Sequence, residues 1–149
     1  PSYAYWIHTM GATSLLEDFT PYGVGILRSH NHHFWGDIVS WFTRELAGLK
    51  INPYGKDCNQ VEISPVLLEA LTHAETYYDA PAGRISVRWE RKDGEITLTV
   101  DAPDKVWGRI LIDRDWQLEN GICAVPVKSG SYRLIPAGAV NTRQVVPQE

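Results

Sequence analysis

The residues best suited to chemistry in this 149-residue chain lie early in it. Four of the five histidines, His8, His30, His32 and His33, precede residue 34, and only His73 comes later. The dense stretch is Ser-His-Asn-His-His-Phe-Trp-Gly-Asp, Ser29 to Asp37. Two imidazoles grip a metal from one helix face when they stand at i and i+4, as in His-Glu-x-x-His. Here His30 and His32 are two apart and His32 and His33 adjacent, so neither a metal nor a cofactor is expected. The same residues suit the polar lip of a pocket. Asn31 and His32 offer donors and acceptors to sugar hydroxyls, with Phe34 and Trp35 as a stacking wall. A loop that only caps and packs a helix would use similar residues, and that reading stays open. Upstream, Glu17 and Asp18 follow Gly-Ala-Thr-Ser-Leu-Leu, residues 11–16. Adjacent carboxylates are most often merely solvated. Glu17 gains interest from the small residues before it and the histidine-rich lip after it.

These residues need elements to hold them, and the chain changes character near Asn52–Asn59. Before that point the apolar positions repeat at helical spacing. Ile38, Trp41, Phe42, Glu45 and Leu46 fall at i, i+3, i+4, i+7 and i+8, so one helix carries a nearly continuous apolar stripe. Asp37 is its expected N-cap and Gly48 its stop. Tyr3–Met10, closed by Gly11, reads as the tail of another helix. Helices this short are marginal alone, so the stripe must pack on something. With nothing to cover it, self-association is the expected remedy.

After Asn52-Pro53-Tyr54-Gly55, a turn signal, the pattern becomes period two. Ile85, Val87 and Trp89 alternate with polar residues. Lys92-Asp93-Gly94 then turns the chain, and Ile96, Leu98 and Val100 alternate again, which is a β-hairpin with one buried face. Further strands are expected at Val61–Val66, Thr72–Tyr78, Val106–Ile112, Ala124–Val127 and Tyr132–Ile135. Short strands at such spacing make a sandwich or barrel. Val140–Glu149 has no partner pattern and is expected to fray.

Composition narrows the classes. With 44% hydrophobic and 21% charged residues the chain is neither disordered nor a coiled coil. A net charge of -4 speaks against a general nucleic-acid binder, which needs a basic face to displace counterions. No apolar run approaches the ~18–20 residues of a membrane span, so no membrane partner is expected. Six Trp and seven Tyr suit sugar stacking as well as core packing. The two cysteines, Cys58 and Cys123, have no ligand-like company and read as partly buried free thiols. The chain opens on Pro1 rather than Met, as a piece of a longer protein would.

Gly11–Asp18 followed by Ser29–Ile51 resembles the end of the catalytic barrel of the α-L-rhamnosidases. In that family a Gly-Ala-Thr-Thr stretch leads to a Trp-Glu pair, and an Asn-His motif then opens the last barrel helix. Tyr78–Pro103 and the later Val127–Tyr132 resemble the family's C-terminal sandwich. The resemblance runs in family order to about Pro136.

It implies a mainly β fold: an antiparallel, jelly-roll-like β-sandwich over residues 52–149, with residues 1–51 as a helical appendage from an (α/α)6 barrel. It also implies an inverting glycoside hydrolase acting on a rhamnosyl-containing carbohydrate. Glu17 matches the general base, His32 a histidine that contacts the rhamnose with Asn31 beside it, and Gly36 the small residue opening the helix. Leu16 departs from the family's Trp, and His30 and His33 replace residues that vary or are aromatic in relatives. The acid partner in the family lies upstream, on sequence this chain does not contain, so the 149 residues alone are expected to be inactive. A non-catalytic carbohydrate-binding or structural sandwich is the alternative.

Overall fold

The computed structural model describes residues 3–17, 29–52 and 54–138, leaving aside the side chains of Phe34 and Trp35; the expected frayed tail Val140–Glu149 lies outside the described residues. The chain forms two compact units, Pro1–Trp41 and Phe42–Glu149.

The second unit is a sandwich of two sheets. Its strands are β1 (Leu49–Ile51), β2 (Gln60–Ile63), β3 (His73–Ala80), β4 (Gly83–Lys92), β5 (Glu95–Asp101), β6 (Trp107–Leu111), β7 (Trp116–Leu118), β8 (Ala124–Pro126) and β9 (Gly130–Pro136). One sheet has the order β1-β2-β6-β8 and the other β3-β4-β5-β9-β7. All neighbours are antiparallel except β2 and β6, which run parallel. The mainly β, antiparallel sandwich expected from the alternation is therefore what forms.

The β4–β5 hairpin carries the register that the sequence dictates. Val87 pairs with Val100 and Trp89 with Leu98, and Lys92 faces Glu95 across a two-residue turn. Asp93 at φ 52° and Gly94 at φ 80° are both left-handed, as a type I′ hairpin turn requires. Ile85, Val87, Trp89, Ile96, Leu98 and Val100 are all buried at 1% exposure or less, while Arg88 and Thr97 face solvent. Burying each such side chain contributes about 1.5–3 kcal/mol relative to leaving it exposed. Leu49, Val61, Ile63 and Ile110 from the opposite sheet complete one core cluster with them. Outside, the second sheet is wet and ionic: Arg84 bonds Asp79, Arg88 bonds Glu75 and Glu90, and Arg133 bonds Glu95 and Glu119. Exposed pairs of this kind add little stability and mainly keep the face soluble.

The helical stretch departs from a regular helix. His33–Gly36 is a 3-10 turn, Asp37–Trp41 (α1) is α-helical, and Phe42–Leu46 widens into a π turn closed by Ala47 N–H donating to the Phe42 carbonyl at 3.1 Å. Asp37 thus lies inside the helical run rather than capping it. β-branched Ile38, Val39 and Thr43 and the adjacent rings Trp41 and Phe42 are mediocre helix formers, so the stretch yields to its packing.

Trp89 shows what it yields to. This fully buried ring donates its indole N–H to the Leu46 carbonyl at 2.7 Å, tying the π turn to the sandwich core. Gly48, the expected stop, sits at φ +86°, and a Cβ there would meet the Pro65 nitrogen at 2.3 Å. The chain then enters β1, so the expected division between residues 51 and 52 falls just after a strand of the sandwich.

In the first unit, Tyr5–Thr9 forms one π turn. Met10 N–H returns to the Tyr5 carbonyl and Ala12 N–H to that of Trp6 at 2.9 Å, around Gly11 at φ +63°. Trp6, at 2% exposure, is the anchor, with Tyr3 meeting it edge-on at 5.7 Å. Cys58 and Cys123 are both exposed free thiols, which corrects the partly buried placement expected for them. Each stands in an irregular segment at the end of a strand, where the alternation that buries side chains no longer operates.

Candidate functional site

Glu17, Asn31 and His32 are separated by a stretch of chain that includes the undescribed residues 18–28, yet their segments lie side by side. Glu17 N–H donates to the Ser29 carbonyl at 2.9 Å, and Ser29 N–H donates back to Glu17 Oε2 at 2.9 Å. His32 N–H donates to the Leu15 carbonyl at 2.7 Å, and the Ser14 hydroxyl bonds the His30 carbonyl. Asn31 N–H reaches Ser29 Oγ at 3.3 Å. Ser14–Glu17 and Ser29–His32 are thereby laced together like two short strands.

The lacing also sorts side chains. Leu16 is buried at 3% exposure, Glu17 and His32 are half-buried, and Asn31 is exposed. Where the family pattern carries Trp, this chain thus uses Leu16 as packing. The His32 and His33 rings stack with centroids 5.4 Å apart and 12° between planes, which fixes the His32 ring against its neighbour. Trp35 lies in the 3-10 turn that follows, and its ring lies outside the described residues.

A carboxylate held by a backbone N–H keeps one orientation, which is what positioned general acid–base chemistry needs. Beside it, an imidazole and an amide supply hydrogen bonds of both senses to a hydroxyl-rich ligand. Among the described residues no three His, Cys, Asp or Glu side chains group as metal ligands, and no helix is long and apolar enough to cross a membrane.

A second surface escaped the sequence reading. On the outer face of the β1-β2-β6-β8 sheet lies an open cleft of about 780 Å³, lined by Arg44, Lys50, Tyr54, Glu62, Trp107 and Arg109 among others. Trp107 is 50% exposed and its indole N–H donates to Asp57 Oδ2 at 2.6 Å. That bond, followed by one from the Asn59 backbone N–H, holds the Asp57 carboxyl below the ordinary carboxylate range. A signal was present in the sequence. In Val106–Ile112, alternation that turns Val106 and Ile110 inward must turn Trp107 and Arg109 outward.

The family described as bacterial alpha-L-rhamnosidase C-terminal domain matches residues 51–122. An alpha-L-rhamnosidase of Alteromonas sp. is 32% identical over 111 residues, covering 69% of this chain and 12% of that protein. One from Streptomyces avermitilis is 27% identical over 119 residues, covering 72% of this chain and 11% of its own length. The crystal structure of the Streptomyces avermitilis alpha-L-rhamnosidase complexed with L-rhamnose superposes with a TM-score of 0.69 at 26% identity, over 90% of this chain and 14% of that one. The chain therefore spans only a small part of the length of the relatives it matches. The family match, the two relatives and the solved structure agree, and together they indicate a C-terminal fragment of an α-L-rhamnosidase.

Proposed function

We propose that these residues are the end of the catalytic barrel and the C-terminal sandwich of an enzyme that releases terminal α-L-rhamnose with inversion. The observation that carries this reading is the reciprocal pair of bonds between Glu17 and Ser29, in which the Ser29 N–H donates to the carboxylate and sets it beside the Asn31–His32 segment. Glu17 acts as the general base, taking a proton from the water that attacks the anomeric carbon. His32 and Asn31 hold rhamnose hydroxyls, and Trp35 walls the sugar. We assign residues 1–51 to the barrel and 52–149 to the sandwich, with β1 as the strand through which the barrel hands over to the sheet.

Inversion needs a second carboxyl across the scissile bond, about 6.5–9.5 Å away, kept protonated by a desolvating pocket. We place that acid in sequence upstream of this chain, so the 149 residues alone turn nothing over. The test is hydrolysis of an aryl α-L-rhamnoside by the 149-residue chain and by the full-length enzyme side by side. Turnover is expected only from the latter, and clear turnover by the purified 149 residues would overturn the reading. In the full-length enzyme His32→Ala should raise KM by about fivefold, with kcat less affected, since one hydrogen bond to a bound sugar is worth about 1 kcal/mol. An unchanged KM would remove His32 from the sugar site.

In the first unit Ile7, Val39 and Trp41 are 58%, 64% and 44% exposed. Large apolar side chains left open at this density are covered by association. The 149-residue chain is therefore expected to show a concentration-dependent sedimentation coefficient, and a strict monomer over a wide concentration range would contradict this.

A further inference from the structure

The cleft on the outer face of the β1-β2-β6-β8 sheet is independent of Glu17 and its neighbours, and its chemistry is specific. Strand pairing puts Lys50, Glu62 and Arg109 in one cross-strand row, with Gln60 and Trp107 paired in the next row on the same face. Side chains two residues apart on a strand share a face, so Trp107 and Arg109 stand next to each other.

Trp107 is an outward-facing platform that cannot swing freely, because Asp57 holds its indole N–H. The backbone beneath is equally fixed. Gly108 sits at φ +144°, and a Cβ there would lie 1.7 Å from the Val61 carbonyl oxygen, so β6 lies directly on β2. A half-exposed indole fixed on a rigid sheet stacks on the apolar face of a pyranose without ordering cost. Tyr54, 95% exposed, offers a second ring at the rim.

The charges select among sugars. Lys50 is engaged by Glu45 at 3.3 Å, and the Ser64 hydroxyl donates to Glu62 Oε1 at 2.9 Å. Arg44 and Arg109 line the cleft with no ion pair among the described residues. In a chain of net charge -4 this is a local concentration of guanidinium. A guanidinium fork matches a carboxylate in two parallel hydrogen bonds.

We propose that this cleft is a binding site for an acidic oligosaccharide, with a uronate ring stacked on Trp107 and its carboxylate bonded by Arg109 or Arg44. The site goes beyond rhamnoside cleavage and needs no residue of the Glu17 segment. It would hold a carboxylate-bearing glycan chain against the enzyme's C-terminal domain.

The test is titration of the 149-residue chain with trigalacturonate and with its fully methyl-esterified form, followed by the Trp107 indole N–H resonance in nitrogen–proton correlation spectra. That resonance is assigned as the one lost in Trp107→Phe. The acid form should shift it with saturation in the millimolar range or tighter, and the ester should bind at least fivefold more weakly. Binding by the Trp107 variants, which lack that resonance, is read from the Arg109 backbone amide. Trp107→Ala should weaken it at least tenfold, while Arg44→Gln combined with Arg109→Gln should abolish the preference for the acid with the thermal melting temperature unchanged. The preference should also fall as salt rises, since screening acts on the charged contact. Because Trp107→Ala removes the bond to Asp57 and could perturb the fold, Trp107→Phe serves as its check and should retain most of the binding. No shift of the Trp107 signal at millimolar sugar, or equal binding of acid and ester, would overturn the proposal.

Discussion

Replacing Trp89 with alanine should cost the sandwich about 3–5 kcal/mol of unfolding free energy, the range for deleting a large buried aromatic. The ring has 0% exposure, pairs across the sheet with Leu98 and Ala74, and belongs to the core cluster. Its removal leaves a cavity and strands the Leu46 carbonyl, which now accepts the indole N–H at 2.7 Å. The π turn Phe42–Leu46 should therefore loosen along with the core. Trp89→Phe separates the two effects. It keeps most of the volume and loses only the N–H, so it should cost about 1–3 kcal/mol, the penalty for an unsatisfied buried acceptor. Urea unfolding followed by far-ultraviolet circular dichroism reads both variants. Domains of this size are stable by only about 5–15 kcal/mol, so the alanine variant should lose a large part of its midpoint. A Trp89→Ala midpoint equal to wild type would mean that the core is not organised around this ring.

The sandwich was legible where its strands are amphipathic over several residues. β4 and β5 alternate strictly around Asp93-Gly94, and a one-residue slip of either strand would expose its three core side chains, so sequence determines register there. β1 and β7 were not legible. Leu49–Ile51 and Trp116–Leu118 are three residues each, too short for a period to emerge. Leu49 also extends the helical stripe numerically, so this apolar residue satisfies both readings. Only the left-handed Gly48 and its close approach to Pro65 decide for a strand. The parallel pairing of β2 with β6 joins segments far apart in sequence, which no local pattern encodes.

The candidate site divides in the same way. Residue types at Glu17 and Asn31–His32 were visible, and the resemblance to the α-L-rhamnosidases led to the expectation that they share one site. Their adjacency rests on backbone bonds such as His32 N–H to the Leu15 carbonyl, which any residue types could make. The Trp107 cleft was missed because its members come from β1, β2, β6 and two turns. None of them stands out until the sheet sets them in rows.

The largest functional effect is expected at Glu17. In the full-length enzyme Glu17→Gln keeps the size of the side chain and an oxygen to accept the Ser29 N–H bond, now 2.9 Å long. It loses the capacity to take a proton from water. Sugar binding depends on other residues and should persist, so KM should change little. General base catalysis contributes typically about 10²–10⁴-fold, and that factor should vanish from kcat. Asp18, next in sequence, provides an internal comparison, since Asp18→Asn removes one carboxylate without touching the proposed base. The decisive measurement is kcat for an aryl α-L-rhamnoside with wild-type, Glu17→Gln and Asp18→Asn full-length enzymes. A fall of about 10²-fold or more confined to Glu17→Gln is the expected result, and a Glu17→Gln enzyme turning over at the wild-type rate would contradict the account.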